Sequence, residues 1–201
     1  MCKRVLTLLG LASVLGLALT GCGPSRITTR PPEGMIDPGL PPMKEDKNVG
    51  KVAIDPGFQI REYRILIVSD FSIEGLKPNK ALPPQEASAY LKAELVQKIS
   101  SIGVFDVVTE AKEPIAKSKE KALLIEGAIT ALDPGSSGDG HTKVAIVTRF
   151  KDAKTGKVYV VTADGRGAAS DVFGGDSVRR LMTSIDELAD GIAEFIKRLS
   201  R

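Results

Sequence analysis

Apolar positions in the second part of the chain recur with the spacings of strands and helices. The run 63–71 (YRILIVSDF) predicts a buried strand, because it is continuously rich in β-prone residues. A stripe of apolar residues over 177–200 predicts the longest helix of the chain, with Ser177 as its N-cap. A second helix is predicted from apolar residues that share one face, namely Leu91, Leu95, Ile99 and Ile102.

Shorter apolar runs predict the remaining strands, at 104–108, 122–132, 141–152 and 158–163. Residues 154–157 (KTGK) predict a tight turn between the last two. Two amphipathic helices packed on one mixed, mostly antiparallel sheet of about five strands would bury both apolar stripes. We therefore predict a single α+β domain over residues 61–201, and we expect the fragment that begins at Arg61 to fold alone.

Residues 22–60 differ in composition and predict a disordered Pro/Gly-rich tether ahead of the domain. Prolines recur there and few large apolar residues cluster, which is typical of extended, semi-rigid linkers. Such a tether serves either as a spacer or as a means of reaching a distant site. Asp-Pro-Gly occurs at 37–39, at 55–57 and again at 133–135. Asp caps such a turn, Pro fixes φ and Gly takes a positive φ, so we predict three turns.

The N-terminus has the layout of a secretory signal. Lys3 and Arg4 precede an apolar run over 5–20, which Gly21 and Cys22 close. The sequence Leu-Thr-Gly-Cys at 19–22 resembles the lipobox of bacterial lipoproteins. The resemblance implies a signal peptide over 1–21, cleavage between Gly21 and Cys22, and lipidation of Cys22 with acyl chains such as palmitate. The alternatives are an ordinary membrane anchor and a cleaved signal with a chance cysteine.

The same resemblance implies where the protein lies. Two or three acyl chains on Cys22 would make a firm membrane anchor. Gly23, where an Asp would favour retention at the inner membrane, implies the outer membrane. The domain is expected to face the periplasm, with exposure at the cell surface left open.

Composition excludes several classes of function. The formal net charge is +3, and the loss of Lys3 and Arg4 with the signal lowers it to +1, so nucleic-acid binding is not expected. Cys2 leaves with the signal and Cys22 is acylated, so the mature chain keeps no thiol for a disulfide or a metal. The absence of Trp and the low aromatic content argue against a sugar-stacking surface.

No catalytic constellation emerges from the sequence. His141 is the sole histidine, beside a glycine-rich loop, and we interpret it as a solvated residue at the start of a strand. We interpret the acidic residues of the glycine-rich stretches as turn and loop residues, namely Asp133, Asp139, Asp164, Asp171 and Asp176. We therefore predict a protein that is not an enzyme, with no cofactor and no metal.

Two glycine-rich loops flank the predicted hairpin, and mobile loops on a rigid sheet are where binding surfaces usually lie. Residues 136–141 and 166–176 are the predicted contact loops. Their candidate contact residues are Ser136, Ser137, Asp139, His141, Arg166 and Asp171. Outside them, Gly127 predicts a bulge or a close approach, and Gly191 predicts a weak point or a close approach on the last helix.

Four features of the sequence together resemble an uncharacterised family of bacterial lipoproteins, a domain of unknown function. They are the strand 65–71, the strand with Leu124-Ile125-Glu126-Gly127, the strand pair joined at 152–157 and the closing helix. They are more distantly similar to small α/β envelope modules. These are the amino-terminal domain of the Tol translocation protein, the periplasmic domain of the curli secretion channel, and lipoprotein activators of penicillin-binding proteins. The resemblance implies a binding or assembly module.

Two hypotheses of function follow. The first is a non-catalytic adaptor, held at the membrane by Cys22, that contacts an envelope protein complex or peptidoglycan. The alternative is a lipoprotein that binds a small molecule or a lipid, which requires a cavity. An envelope hydrolase is a third hypothesis and rests only on unassigned carboxylates.

Overall fold

A computed structural model describes residues 25–27, 29, 31–32, 34–110, 120–135, 141–168 and 176–201. These residues form one mixed β-sheet of eight strands with two helices packed on one face. The predicted α+β class is confirmed. The predicted number of strands is too low, because β1, β2 and β3 lie in the segment 22–60 that was expected to be a disordered tether.

The helices and the later strands overlap the runs predicted from sequence. The strands are β1 (Ser25–Arg26), β2 (Lys44–Asp46), β3 (Gly50–Ile54), β4 (Ile65–Ser72), β5 (Val107–Thr109), β6 (Ala122–Asp133), β7 (Thr142–Asp152) and β8 (Val158–Ala168). The helices are α1 (Pro84–Ser101) and α2 (Ser177–Leu199). Asp176, rather than the predicted Ser177, caps α2, because its carboxylate accepts a hydrogen bond from the amide of Val178 at 2.9 Å.

The sheet has the order β2-β3-β8-β7-β6-β4-β5. Strands β6, β7 and β8 form an antiparallel meander, whereas β4 runs parallel to both β5 and β6. One edge of β8 has two partners in succession. Strand β3 pairs with residues 160–163 of β8, and β1 pairs with residues 166–167. The start of the described chain is therefore joined to the last strand.

The main core lies between the sheet and the two helices. Phe150 of β7 meets Phe195 of α2 edge to face, with ring centroids 6.1 Å apart. Each large apolar side chain that is fully buried stabilises the fold by about 1.5–3 kcal/mol. Burial of both stripes therefore holds the helices on the sheet, through fully buried residues that include Leu91, Leu95, Ile99, Leu181, Ile185 and Leu188.

The second face of the sheet is covered in part by the back-face segment, which we define as Ile27, Thr29 and residues 34–43. Met35, Leu40 and Met43 of this segment pack on a buried cluster of β7 and β8. That cluster consists of Val147, Val158, Val161 and Ala163. The segment is thus part of the folded domain, and the expectation that ordered structure starts at Arg61 is corrected.

Glycines in β8 make room for the back-face segment. A Cβ atom on Gly165 would lie 2.5 Å from Cγ2 of Thr29 and 2.6 Å from Cγ1 of Ile27. The amide of Ile27 donates to the carbonyl of Gly165 at 3.0 Å. The chain can cross β8 here only because residue 165 has no side chain.

The predicted turns are present. In each Asp-Pro-Gly sequence the Asp carboxylate accepts a hydrogen bond from the glycine amide, at 2.9, 2.7 and 2.9 Å for Asp37, Asp55 and Asp133. A positive φ is found at Gly135 and not at Gly39 or Gly57, which corrects that part of the prediction. The tight turn after β7 is also confirmed, with Asp152 accepting from the amides of Lys154 and Thr155.

Gly127 and Gly191 are both points of close approach, which is one of the two alternatives predicted for each residue. A Cβ atom at residue 127 would overlap the carbonyl oxygen of Val147 on the neighbouring strand. A Cβ atom at residue 191 would overlap the carbonyl oxygen of Asn48, in the turn between β2 and β3. The turn 46–49 therefore sits directly on α2.

In the part of the chain that the structure describes, no helix is both long enough and apolar enough to cross a membrane.

Candidate functional site

The predicted contact residues are only partly within the described structure. Ser136, Ser137, Asp139 and Asp171 lie outside the described residues, as do Gly21 and Cys22. His141 is described. It is exposed and immediately precedes β7, which agrees with its interpretation as a solvated residue at the start of a strand.

Arg166 is not in a loop. It lies within β8, its side chain is only 9% exposed, and it forms an ion pair with Asp164 at 3.0 Å. Asp164 was also expected in a loop and is likewise a strand residue, 2% exposed. The glycines around both residues predicted a loop. In the folded chain those glycines admit the back-face segment instead.

Asp164 is the centre of a buried charge cluster. Its Oδ1 accepts hydrogen bonds from Nε of Arg26 at 3.1 Å, from Nη1 of Arg166 at 3.0 Å and from the amide of Gly165 at 2.9 Å. A buried carboxylate is tolerated when it is paired and hydrogen-bonded in this way. The two guanidinium groups come from strands far apart in the chain, one from β1 and one from β8.

Arg26 also holds the turn between β2 and β3. Its Nη1 donates to the carbonyls of Asp46 at 3.1 Å and Lys47 at 2.9 Å, and its Nη2 donates to the carbonyl of Asn48 at 2.8 Å. The planar guanidinium, with five N–H donors, can serve a carboxylate and several carbonyls at once. One side chain therefore joins β1, β8 and the turn 46–49.

Helix α2 closes the cluster from the other side. Nε of Arg166 lies 3.5 Å from Oε2 of Glu187 on α2. Arg198, near the end of α2, donates to the carboxylate of Asp46. We call this set the clasp: Arg26, Asp46, Asp164, Arg166, Glu187 and Arg198.

Burial and hydrogen bonding shift the pKa values of three residues of the clasp. Burial raises the pKa of Asp164 above its ordinary value, although Arg166 and Arg26 oppose the rise. Burial also lowers the pKa of the Arg166 guanidinium, against the attraction of Asp164. For Asp46 burial acts upward as well, but hydrogen bonds from Arg198 and from the amides of Asn48 and Val49 outweigh it, so its pKa is lowered.

The clasp has the chemistry of a structural site. A carboxyl with a raised pKa in a cleft would be a candidate general base. Asp164, however, is almost inaccessible to solvent, and its oxygens are hydrogen-bonded to two guanidinium groups and an amide. Within the described residues, no group of three His, Cys, Asp or Glu side chains is placed to hold a metal ion.

Two surface grooves offer other contact sites. One, of about 440 Å³, lies on the exposed side of α1 and α2, lined by Tyr90, Arg179, Met182 and Asp186 among others. The other, of about 320 Å³, lies beside β4, β6 and β7. Its charged wall includes Glu126, which lies 3.8 Å from Arg149 and 2.6 Å from Lys151.

Sequence analysis missed Arg26 and Asp46 because both lie in the segment interpreted as a tether. One signal was available for Asp164 and Arg166. Thr162, Asp164 and Arg166 alternate with small residues at the period of a strand, which extends β8 past residue 163.

No family model matches the chain, and no curated protein matches it. Solved structures share its fold. The PelC dodecamer from Paraburkholderia phytofirmans matches with a TM-score of 0.50 and 12% identity, over 70% of this chain and 94% of that chain. Protein XCC0632 from Xanthomonas campestris, of the family DUF330, matches with a TM-score of 0.46 and 10% identity, over 73% of this chain and 90% of that chain.

The likeness to PelC shows a shared fold and nothing beyond it. The resemblance of the sequence to an uncharacterised lipoprotein family stays a prediction, as does the more distant likeness to the Tol, curli and activator modules.

Proposed function

We propose that the protein is a lipid-anchored envelope protein that acts as a non-catalytic adaptor or binding module facing the periplasm. The observation that carries the proposal is the clasp. Strand β1 begins at Ser25, a short distance along the chain from Cys22, and Arg26 fixes that strand to Asp164. A lipid on Cys22 would therefore hold a folded domain directly, as suits a module that presents a surface to partners.

The state of the charged groups supports binding rather than catalysis. The carboxylates of Asp164 and Asp46 are hydrogen-bonded to arginines and to backbone amides of the same domain. Groups committed to each other in this way stabilise a fold and are poor proton donors or acceptors for a substrate. His141 is exposed at the end of the sheet, whereas Asp164 lies on the neighbouring strand β8, opposite Ile146 and so five residues further along. At about 3.4 Å per residue this is about 17 Å along the strand, which is too far for a hydrogen bond.

The partner we propose is an envelope protein complex or peptidoglycan. The two grooves described above are open surface features, which suits contact with a macromolecule. PelC is a dodecamer. A second copy of this chain is therefore one of the protein partners that a crosslinking experiment should be able to detect.

The experiment is in-cell crosslinking of the full-length protein, followed by mass spectrometry of captured proteins and of attached peptidoglycan. The matched control is the Cys22→Ser variant, which should stay an unprocessed precursor without lipid. We expect one dominant envelope partner, or copies of the chain, with the wild type and loss of that capture with the variant. Normal acylation of Cys22→Ser would refute the anchor, and capture of bulk membrane alone would refute the adaptor.

The alternative, a carrier of a small molecule or lipid, requires an enclosed cavity. The space between sheet and helices is filled by large buried side chains such as Phe150, Phe195 and Leu188. A ligand that co-purifies with the folded domain and survives dialysis would favour the carrier over the adaptor.

A further inference from the structure

We infer that one end of the sheet, where β1 and β7 begin and β6 and β8 end, rests against the lipid bilayer. We call it the anchor end. The inference deepens the proposed function and depends on the lipidation of Cys22. It assigns a lipid-facing surface to the domain and names its occupant, a phosphate-bearing membrane surface.

The chain between Cys22 and the first strand is short. Ser25 is paired with Gly167 of β8, so its position in the sheet is fixed. From Cys22 to Ser25 there are three residue steps in the sequence. Even a fully extended chain covers at most about 3.6 Å per residue, so the two Cα atoms are within about 11 Å of each other. Acyl chains in the hydrocarbon layer place Cys22 among the headgroups, and Ser25 must lie close above them.

The register of four neighbouring strands places Lys143 near Ser25. Ser25 pairs with Gly167, Gly167 with Lys143, and Lys143 with Asp133, which places one residue of each of four neighbouring strands in a row. Neighbouring strands lie about 4.8 Å apart, so the Cα atom of Lys143 is about 10 Å from that of Ser25. Lys143 is exposed at this end of the sheet. Its ammonium group is therefore placed to meet lipid phosphates.

The direction of the strands determines which end of the sheet lies nearer to Cys22. Strand β1 runs antiparallel to β8, so towards its amino terminus the chain leaves the sheet past the end of β8. Strand β7 starts at the anchor end and has 11 residues. At about 3.4 Å per residue, its far end and the turn at Lys154 are about 35 Å away. A lipid held at residue 22 thus pulls the anchor end, and not the turn at Lys154, towards the membrane.

The experiment uses the absence of tryptophan from the chain. A single tryptophan is placed at the anchor end by Lys143→Trp, or at the far turn by Lys154→Trp, its matched control. Both positions are exposed, and urea unfolding checks that both variants keep the wild-type midpoint. The lipidated mature protein is incorporated into phosphatidylcholine–phosphatidylglycerol vesicles that carry a dansyl headgroup acceptor.

Energy transfer from tryptophan to the headgroups is the measured quantity. We expect severalfold stronger transfer from residue 143 than from residue 154. Equal transfer would mean that the domain lies flat, and stronger transfer from residue 154 would mean the opposite orientation, so either result overturns the inference. Vesicle flotation separates the two proposals. Protein that floats with the wrong transfer pattern refutes the anchor end alone, whereas protein that fails to float refutes the lipid anchor and the inference together.

Discussion

Arg26 and Asp164 stand 138 positions apart in the chain and form an ion pair with Nε and Oδ1 separated by 3.1 Å. The pair joins the first described strand to the last one. Asp164 is 2% exposed, so the contact is made at the edge of the core and is weakly screened by solvent. The relationship makes the segment next to Cys22 part of the domain.

Replacement of Arg26 should open the clasp. Arg26→Ala leaves the Asp164 carboxylate buried with one guanidinium fewer and removes three hydrogen bonds to the turn 46–49. We expect the free energy of unfolding to fall by about 3 kcal/mol, because a buried carboxylate loses one of its two charged partners and three carbonyls of the turn lose their donor. Urea denaturation followed by circular dichroism measures the change.

Two further variants calibrate that result. Arg61→Ala removes a guanidinium whose contacts, to the carbonyls of Ser200 and Arg201, are exposed, and should cost less than about 1 kcal/mol. Arg26→Lys keeps the charge but lacks the planar fork, so it should restore only part of the stability. A loss for Arg26→Ala no larger than that for Arg61→Ala would show that the clasp does not stabilise the domain.

Truncation tests whether the back-face segment belongs to the fold. A chain that begins at residue 25 keeps β1, β3 and the contacts of Met35 with the cluster at Val147, whereas a chain that begins at residue 61 loses them. We expect cooperative unfolding at a high urea midpoint for the longer chain and a clearly lower midpoint, or aggregation, for the shorter one. Equal midpoints for the two chains would restore the domain boundary at Arg61.

The helices and the meander could be predicted because their patterns are long and periodic. Leu91, Leu95 and Ile99 share one face of α1, and β7 places Val144, Ile146 and Phe150 at alternate positions in the main core. Strands β1 and β2 are too short to show a period, and prolines around them resemble those of a linker. The pairing of β1 is decided by a partner more than 100 residues away, Gly167 for Ser25, which no local pattern records.

The residues of the clasp were not predicted from the sequence, for a related reason. Asp164 and Arg166 alternate with glycines, and a charged, glycine-rich stretch ordinarily indicates a loop. Those glycines are needed because the side chains of Ile27 and Thr29 occupy the space where a Cβ of Gly165 would lie. By contrast, the turns capped by Asp37, Asp55 and Asp133 were predictable, since an Asp carboxylate and the amide two residues later form a purely local contact.

Alanine at Gly127 should be strongly destabilising. A Cβ at residue 127 would overlap the carbonyl of Val147 and lie 2.9 Å from the ring of Phe71, so β6 or β7 must shift. We expect a loss of about 3 kcal/mol in the free energy of unfolding. Gly156→Ala is the matched control. It meets no neighbour within 4 Å but has a φ of +72°, and should cost about 1 kcal/mol. Similar losses for the two variants would contradict the close approach at Gly127.

Asp46 should contribute to stability in a pH-dependent way. Its pKa in the folded chain is lowered from the ordinary value of 3.8, because hydrogen bonds from Arg198 and two backbone amides outweigh the effect of burial. A carboxyl with a lowered pKa stabilises the fold above its unfolded pKa, and that contribution is lost as the pH falls through the folded pKa. Acidification below about pH 4 should therefore weaken the domain.

The variant Asp46→Asn isolates this effect. At neutral pH we expect it to lower the free energy of unfolding by about 2 kcal/mol, as for the loss of hydrogen bonds to a charged group. The difference from wild type should shrink between about pH 5 and pH 3. Asp133→Asn, at an exposed turn, serves as the control. A difference that stays constant over this range would show that Asp46 does not act through its charge.

The pairing of β1 with β8 also affects the order in which parts of the domain fold. Residues 25 and 26 cannot pair until residues 166 and 167 are available, so this contact closes a loop of 142 residue positions. Long-range strand pairings of this kind are intrinsically slow to form. Until this pairing forms, the sheet does not hold residues 25 and 26. Under the proposal that Cys22 is lipidated, the modifying enzymes would meet a chain that the folded domain does not yet hold.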